Sequence, residues 1–286
     1  MQVEMTEKFN TSKVWTTIIY IFLSILVVIY VAPLIWIVSV SLKDTNEIID
    51  SPFGFPKDWY NSMLQNYSDA WNMGSLGKAT LNSLFVCVIV LVVSLFLSAM
   101  AAFAIGRMRW KLSNLCLTYF MIGMMVPVHC LLIPLFVKFS NMKLTDSLWG
   151  LMIPYIVFSM PMSIYLMVGF FKSIPNELFE AACIDGCSIY RCFTVVGIPL
   201  CRTGFFVSGL MTFVNNWNEL LLAMVFIHSA EKKTLPVALT AFASPYKTSY
   251  DMMFAGIVIA VIPTIIVYSA FSNQIVEGLT TGAVKG

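Results

Sequence analysis

Long stretches without a charged side chain alternate along this chain with short segments in which the charges collect. A helix needs about 20 mostly apolar residues to cross a bilayer, and six stretches are that long. Five of them contain no charged residue, and the sixth, between Arg202 and Glu231, contains Glu219. At about 1.5 Å per residue, each can cross with some tilt. The pattern predicts spans at about 15–41, 80–105, 112–137, 147–171, 204–228 and 252–275.

Two prolines modify the third of these stretches. Pro127 and Pro134 each lack the backbone N–H that an uninterrupted helix requires. We therefore predict a broken helix there, a feature that lines cavities in transporters.

The composition excludes several classes of protein. Hydrophobic residues make up 59% of the 286 residues and charged residues only 11%, against about 25% charged residues in an ordinary soluble domain. A soluble domain of this size could not bury so much apolar surface, and a disordered chain would be more polar. The net charge of +2 indicates no nucleic-acid surface, and seven scattered cysteines form no disulfide framework. We expect an all-α membrane protein with a single transmembrane domain over residues 1–286.

The positive charges suggest an orientation for the predicted spans. Arg107, Arg109 and Lys111 lie together between the second and third spans, and short loops rich in Lys and Arg stay in the cytoplasm. With six spans, both termini then lie in the cytoplasm. The first span is not a cleaved signal peptide, because Lys43 and Asp44 follow it and no small-residue cleavage site does.

The cytoplasmic segment between the fourth and fifth spans has helix signals of its own. Pro175 suits the first helical position, and Glu177 and Glu180 favour the positive end of the helix dipole. Gly186 suits the residue just past a helix end. The pattern predicts a helix of about eleven residues, a turn, and a second short helix that ends before Pro199.

Two small residues on that helix leave two interpretations open. Ala181 and Ala182 would let another surface approach the backbone closely, and Glu180 could pair with a basic group on that surface. This describes a docking helix under a membrane domain. The alternative is a helix that only folds back under its own bundle, and these residues fit both interpretations equally.

The same residues resemble a known sequence motif. Glu180-Ala181-Ala182, followed by Asp185-Gly186 and Ile198-Pro199, resembles the EAA loop of permease subunits in binding-protein-dependent ABC importers. The EAA-type loop covers residues 172–202 and departs from that pattern at Ile198, where leucine is common. Directly after the loop stands Thr203, where a second proline is common.

Further features resemble the carbohydrate, maltose-type branch of that family. They are Trp217-Asn218-Glu219-Leu220, Leu235-Pro236-Val237, Pro263, and the ending Gly278-Leu279-Thr280-Thr281-Gly282-Ala283-Val284-Lys285-Gly286. The resemblance implies a non-catalytic subunit of a sugar importer in the bacterial inner membrane. It also implies a second permease subunit, two ATPase subunits that bind the ATP and magnesium, and an extracytoplasmic binding protein. This chain would bind no cofactor itself.

The resemblance also implies which residues dock on the ATPase. Carried over position by position, they are Glu177, Glu180, Ala181, Ala182, Asp185, Gly186 and Pro199.

The fifth predicted span contains an unusually polar patch. Asn215, Asn216, Asn218 and Glu219 lie in otherwise apolar sequence, and polar groups in membranes favour a functional interpretation. On a continuous helix Asn215 and Glu219 share a face, being four residues apart. We assign Asn215, Asn218 and Glu219 to a translocation path or subunit interface. Polar contacts within this subunit are the alternative.

Other sites and functions are less well supported. The cysteines at 183, 187, 192 and 201 lack the paired spacing of a zinc site, so we expect no metal. Residues 74–80 match a phosphate-binding loop only in part, and no catalytic residues are expected. The alternative functions are a permease for a non-sugar solute, or a self-contained secondary transporter with Glu219 as its coupling acid.

Overall fold

The computed structural model describes residues 13–72, 75–243 and 248–283. The α-helices there are α1 (Lys13–Val40), α2 (Thr45–Asp50), α3 (Trp59–Asn72), α4 (Leu76–Arg107), α5 (Ser113–Met125), α6 (Leu132–Asn141), α7 (Leu148–Ser173), α8 (Asn176–Ile184), α9 (Ile189–Arg191), α10 (Ile198–Leu200), α11 (Arg202–Trp217), α12 (Leu221–Phe226), α13 (Leu235–Leu239) and α14 (Tyr250–Ala283). Short 3₁₀-helices lie at Val128–Leu131, Ala230–Lys232 and Thr240–Phe242, and a π-helix lies at Cys192–Gly197. The described residues contain no β-strand, only an isolated bridge between Ala243 and Thr248.

Four helices are individually long and apolar enough to cross a membrane: Trp15–Val40, Leu76–Arg107, Leu148–Ser173 and Tyr250–Ser272. Two further candidates are bent pairs of helices. Ser113–Met125 meets Val128–Asn141 at 81°, and Ile189–Leu200 meets Arg202–Trp217 at 76°. Among the described residues this gives four candidate spans, or up to six if each bent pair counts as one.

The break predicted in the third span is confirmed. The helix α5 ends at Met125, and Pro127 follows in an extended conformation before the 3₁₀-helix. Pro134 lies in the first turn of α6, where a missing N–H removes no helical hydrogen bond. The two prolines therefore account for a break and a fresh helix start.

The fifth predicted span, 204–228, is not one helix. The helix α11 ends at Trp217, and a separate short helix, α12, begins at Leu221. No proline or glycine lies between them, so the sequence signals for a helix end are missing at this point.

The second short helix predicted in the segment 172–202 also differs from the prediction. It does not end before Pro199 but runs from Ile189 through the π-helix to Leu200. Pro199 lies in the first turn of α10, where the change from π to α hydrogen bonding leaves a place for a residue without an N–H.

The centre of the bundle is a close contact between α4 and α7. Small side chains on one face of α4, among them Ser94, Ser98, Ala99 and Ala102, are almost fully buried. The hydroxyl of Ser98 donates to the carbonyl oxygen of Met160 on α7 at 3.5 Å. Small residues let helix backbones approach closely, which is how helices pack in a membrane.

One end of the bundle is built on aromatic side chains. The ring of Phe103 near the end of α4 lies 5.6 Å from that of Phe171 and 5.3 Å from that of Phe193. The segment from α8 to the π-helix packs on this cluster through Ala182 and Cys192. Arg107, at the end of α4, and the helix α8 therefore lie at the same end.

The opposite end is held by loops. The amide of Asn82 near the start of α4 donates to the carbonyl oxygens of Glu231 at 2.9 Å and Lys233 at 3.0 Å. Asp146, just before α7, accepts from the backbone N–H groups of His228 at 3.0 Å and Ser229 at 2.9 Å. These contacts join segments far apart in sequence.

The segment after α1 forms a cap at that opposite end. Lys43 is fully buried, and its ammonium donates to the carbonyl oxygen of Ser51 at 2.8 Å. The amide of Asn66 donates to the carbonyl oxygens of Ser41 at 2.9 Å and Lys43 at 2.8 Å. The helix α1 itself is mostly exposed, and Trp36 attaches it to α14 through an edge contact with Phe254 at 5.6 Å.

Candidate functional site

The helix predicted in the segment after Lys172 is confirmed. We predicted about Pro175 to Asp185, and α8 covers Asn176–Ile184 with Pro175 directly before it. Glu177 lies in its first turn, as the dipole favours. The local signals at both ends therefore located this helix to within one residue.

Gly186 ends α8 in a Schellman motif. Its N–H donates to the carbonyl oxygen of Cys183 at 3.0 Å, and the N–H of Cys187 donates to that of Ala182 at 3.0 Å. Gly186 has a φ of 77°, in the left-handed region. An added Cβ would meet nothing within 4 Å, so the requirement for glycine comes from the backbone angle and not from crowding.

The two faces of α8 differ sharply. Glu177, Glu180, Ala181 and Asp185 are exposed, whereas Ala182 is only 8% exposed. Ala182 packs into the aromatic cluster of its own bundle. The small side chain of Ala182 therefore serves close packing within this chain, and its contact with another protein stays a prediction. Gly186 and Pro199 are exposed, Pro199 in α10 near the start of α11.

A second candidate site is a cavity of about 220 Å³ between α7, α11 and α12. Asn215, Asn216 and Glu219 line it, so the structure brings together three of the four polar residues of the predicted fifth span. Val128, at the break between α5 and α6, also lines it. The broken third pass therefore borders this cavity.

Glu219 is held by three donors of its own chain. One carboxylate oxygen accepts from the N–H of Leu222 at 2.8 Å. The other accepts from the N–H of Ala223 at 3.1 Å and from the hydroxyl of Tyr155 at 2.5 Å. Glu219 thus satisfies free N–H groups in the first turn of α12, as a capping carboxylate does.

This geometry corrects the reason given for pairing Asn215 with Glu219. They do not share one helical face, because α11 ends at Trp217, before Glu219. They nevertheless line the same cavity. The alternative of polar contacts within the subunit describes the hydrogen bonds of Glu219.

The three asparagines have different surroundings. The amide of Asn216 donates to the hydroxyl of Ser159 at 3.0 Å and to the carbonyl oxygen of Thr212 at 2.7 Å. Asn218 is exposed, donates to the carbonyl oxygen of Val214 at 2.9 Å, and does not line the cavity. Asn215 is exposed, and within the described chain its amide makes no hydrogen bond. Asn215 is therefore the cavity-lining asparagine whose amide has no hydrogen-bond partner within the described chain.

The other side of the cavity was not predicted from the sequence. Tyr155, Ser159 and Ser163 on α7 all line it. They are spaced four residues apart, so they form one polar stripe on α7. That spacing was a visible signal within an otherwise apolar stretch.

In residues 13–72, 75–243 and 248–283, no three His, Cys, Asp or Glu side chains are placed to hold a metal ion.

The chain has clear relatives. Residues 94–280 match the family described as binding-protein-dependent transport system inner membrane component. The chain is 32% identical to the diacetylchitobiose uptake system permease protein NgcG of Streptomyces coelicolor, over 90% of this chain and 85% of that one. It is 30% identical to the arabinooligosaccharides transport system permease protein AraQ of Bacillus subtilis, over 98% of both chains. It is 34% identical to the trehalose transport system permease protein SugB of Mycobacterium tuberculosis, over 89% of this chain and 92% of that one.

The fold also has a solved counterpart. A chain from the crystal structure of a bacterial ABC transporter involved in the import of the acidic polysaccharide alginate matches with a TM-score of 0.78. The match covers 93% of this chain and 98% of that chain, at 23% sequence identity, and shows a shared fold. The chain therefore belongs to the family of inner membrane components of binding-protein-dependent transport systems, the non-catalytic permease subunits of ABC importers.

Proposed function

We propose that this chain forms part of the path by which a sugar or oligosaccharide enters a bacterial cell. Its relatives are named for diacetylchitobiose, arabinooligosaccharides and trehalose. The observation that carries the proposal is the chemistry of the cavity. Neutral amides and hydroxyls, such as those of Asn215, Asn216 and Ser159, line it. These are the groups that hydrogen-bond a neutral polyol.

The bonding of Glu219 favours a neutral solute further. Its carboxylate already accepts three hydrogen bonds from Leu222, Ala223 and Tyr155. A charge that is satisfied by its own chain is a poor partner for a cation in the cavity. A permease for a neutral solute therefore fits better than an ion-coupled secondary transporter.

The proposed topology has six crossings with both termini in the cytoplasm. It is supported by the direction of the helices: α4 ends beside α8, whereas α1 ends near the start of α14, where the N–H of Asp251 donates to the hydroxyl of Thr45 at 3.4 Å. The cationic segment from Arg107 to Lys111 begins at the same end of the bundle as α8, as a cytoplasmic face requires. Residues 1–12 and 284–286, which include the two termini, lie outside the described residues.

The proposed complex contains a second permease subunit, two ATPase subunits and an extracytoplasmic binding protein in the inner membrane. ATP and magnesium bind the ATPase subunits. The helix α8 docks in a cleft of the ATPase, where Ala181 permits close approach and Glu180 pairs with a basic residue. This is supported by the exposure of both residues at the end of the bundle.

The substrate is tested with the complete importer in proteoliposomes. ATP hydrolysis is measured with the binding protein and, in turn, diacetylchitobiose, trehalose, an arabinooligosaccharide, or glutamine as a non-sugar control. We expect stimulation by at least one sugar and none by glutamine. Stimulation by glutamine, with no response to any sugar in a wider panel, would contradict a carbohydrate path.

Docking is tested by co-purification of the ATPase with the Glu180→Lys variant. A charge-assisted contact of about 1.5–3 kcal/mol predicts at least a tenfold loss of bound ATPase. The matched control is Glu231→Lys, which makes the same charge change at the opposite end, where Glu231 is also exposed. Full retention of the ATPase by Glu180→Lys would remove Glu180 from the docking surface.

A further inference from the structure

The side chain of Arg107 joins α4 to the start of α8. One terminal nitrogen of its guanidinium donates to the side-chain oxygen of Asn176 at 2.6 Å. The other donates to the carbonyl oxygen of Ile174, which follows α7 directly. The guanidinium also lies over the ring of Phe179, 4.8 Å from its centre. Arg107 therefore contacts Ile174 in the link before α8, and both Asn176 and Phe179 in the first turn of α8.

This arrangement needs the shape of arginine. Two acceptors are met by two nitrogens of one planar fork, and the face of the same plane stacks on an aromatic ring. A lysine ammonium carries a similar charge, but it cannot reach both acceptors and stack in this way. The Nε of Arg107 is buried and has no hydrogen-bond partner among the described residues. An unpaired buried donor is unfavourable, so packing alone would be better served by an apolar side chain.

The helix α4, which ends at Arg107, extends from one end of the bundle to the other. It begins at the opposite end, where Asn82 binds the loop that contains Glu231. Between the two ends, its small residues pack closely on α7. A displacement of α8 that is passed to Arg107 is therefore passed along α4 to the far side of the membrane domain.

The remaining contacts between α8 and the bundle are less directional. Ala182 packs into the aromatic cluster, and the ring of Phe179 lies 5.9 Å from that of Phe103. Such apolar contacts resist separation, but they permit small sliding movements, whereas hydrogen bonds fix a direction. Beside Arg107 a cavity of about 420 Å³ leaves space for movement, and Glu180 and Arg109 also line it.

We propose that Arg107 is a positioning residue that transmits displacement of α8 to α4 and thereby couples ATP hydrolysis to opening of the membrane path. This rests on the proposed docking of α8 on the ATPase. Arg107 does not line the cavity that contains Asn215 and Glu219. Its role is to make α8 and α4 move together.

The test compares Arg107→Lys with the wild type in the complete importer. Three quantities are measured: bound ATPase, ATP hydrolysis stimulated by the loaded binding protein, and solute taken up per ATP hydrolysed. We expect normal ATPase binding and continued hydrolysis. Uptake per ATP should fall by about tenfold, the scale of losing one hydrogen bond to a charged group.

The control is Arg109→Lys. Arg109 lines the same cavity, and its side chain makes no hydrogen bond to the described chain, so its uptake per ATP should stay at the wild-type value. Normal uptake per ATP in Arg107→Lys would overturn the proposal. So would a proportional loss of uptake and hydrolysis at normal subunit yield, because that pattern indicates a merely structural residue.

A second variant tests the proposal if Arg107→Lys assembles poorly. Asn176→Ala removes one acceptor of Arg107 from the exposed start of α8 and leaves the arginine in place. It should lower uptake per ATP in the same direction, and an unchanged ratio would overturn the proposal. Failure of α8 docking itself is distinguishable, because it removes the ATPase from the purified complex in Glu180→Lys.

Discussion

The ammonium of Lys232 lies 3.0 Å from the carboxylate of Asp146 and donates to the carbonyl oxygen of the same residue at 2.7 Å. The two residues are 86 positions apart, so this pair joins the turn before α7 to the loop after α12. Asp146 also has a φ of 51°, in the left-handed region. The turn and the loop therefore depend on one aspartate.

The first prediction concerns the charge of Asp146. Asp146→Asn keeps a side chain that tolerates the left-handed backbone but removes the charged acceptor. We expect the free energy of unfolding to fall by about 1–2 kcal/mol, allowing for partial exposure. Thermal unfolding of the detergent-solubilised protein measures this. Lys78→Gln is the control, since its contact with Glu231 is at 4.0 Å and exposed, and it should change little.

The hydrogen bonds of Asp146 also predict that the stability of the protein depends on pH. Hydrogen bonds from the side chain and backbone of Ser229 hold the pKa of the Asp146 carboxyl well below its ordinary range. The resulting stabilisation is therefore complete above the pKa of the unfolded chain, about 4, and is lost as pH falls further. The difference in unfolding temperature between wild type and Asp146→Asn should persist at pH 7 and shrink below pH 4. A difference independent of pH would contradict this account.

The second prediction separates Glu219 from Asn215. Glu219→Gln leaves one acceptor oxygen for three donors and should destabilise the protein by about 1–3 kcal/mol. Uptake and subunit yield should then fall together. Asn215→Ala removes an amide without a partner in the described chain, so uptake should fall at normal yield. Uptake assays with quantified subunit levels decide this, and normal uptake in Asn215→Ala would remove Asn215 from the path.

The third prediction concerns the end of α8. Gly186→Val forces a β-branched residue to a φ of 77°, at a cost of about 1–2 kcal/mol. It should abolish ATP hydrolysis stimulated by the binding protein. Gly186→Asn is the matched variant, because asparagine tolerates this backbone and a Cβ meets no neighbour within 4 Å. It should retain most of the stimulation, and equal loss in both variants would indicate that the side chain itself is excluded there.

The fourth prediction uses the two faces of α8. Ala181→Leu adds a large side chain at an exposed position and should reduce bound ATPase while subunit stability stays normal. Ala182→Leu overfills the aromatic cluster, in which Ala182 is 8% exposed, and should destabilise the subunit by about 1–3 kcal/mol. Thermal unfolding and ATPase co-purification distinguish the two. The reverse pattern would mean that α8 faces the bundle with Ala181.

The sequence predicted the parts of the fold that local signals determine. Pro175 and Gly186 mark the ends of α8, and Pro127 marks the break in the third pass. Each acts through its own backbone geometry, so no knowledge of distant residues was needed.

The parts that depend on distant residues were not predictable. The gap between Trp217 and Leu221 is stabilised by Glu219, which in turn binds Tyr155, 64 residues away. The inward face of Ala182 is likewise set by Phe103 and Phe171, on two other helices. A single sequence contains the residues of such contacts but not their pairing.

The small side chains between α4 and α7 have a mechanical consequence. A slide of one helical turn, about 5.4 Å, would carry Ser98 out of its contact with Met160 and separate side chains that are packed closely along this seam. We therefore expect α4 and α7 to rotate as one rigid body during transport, with movement taken up at the edges of the subunit. A covalent cross-link between cysteines at positions 98 and 160 should leave turnover intact, and an arrested cycle would show that the seam itself shears.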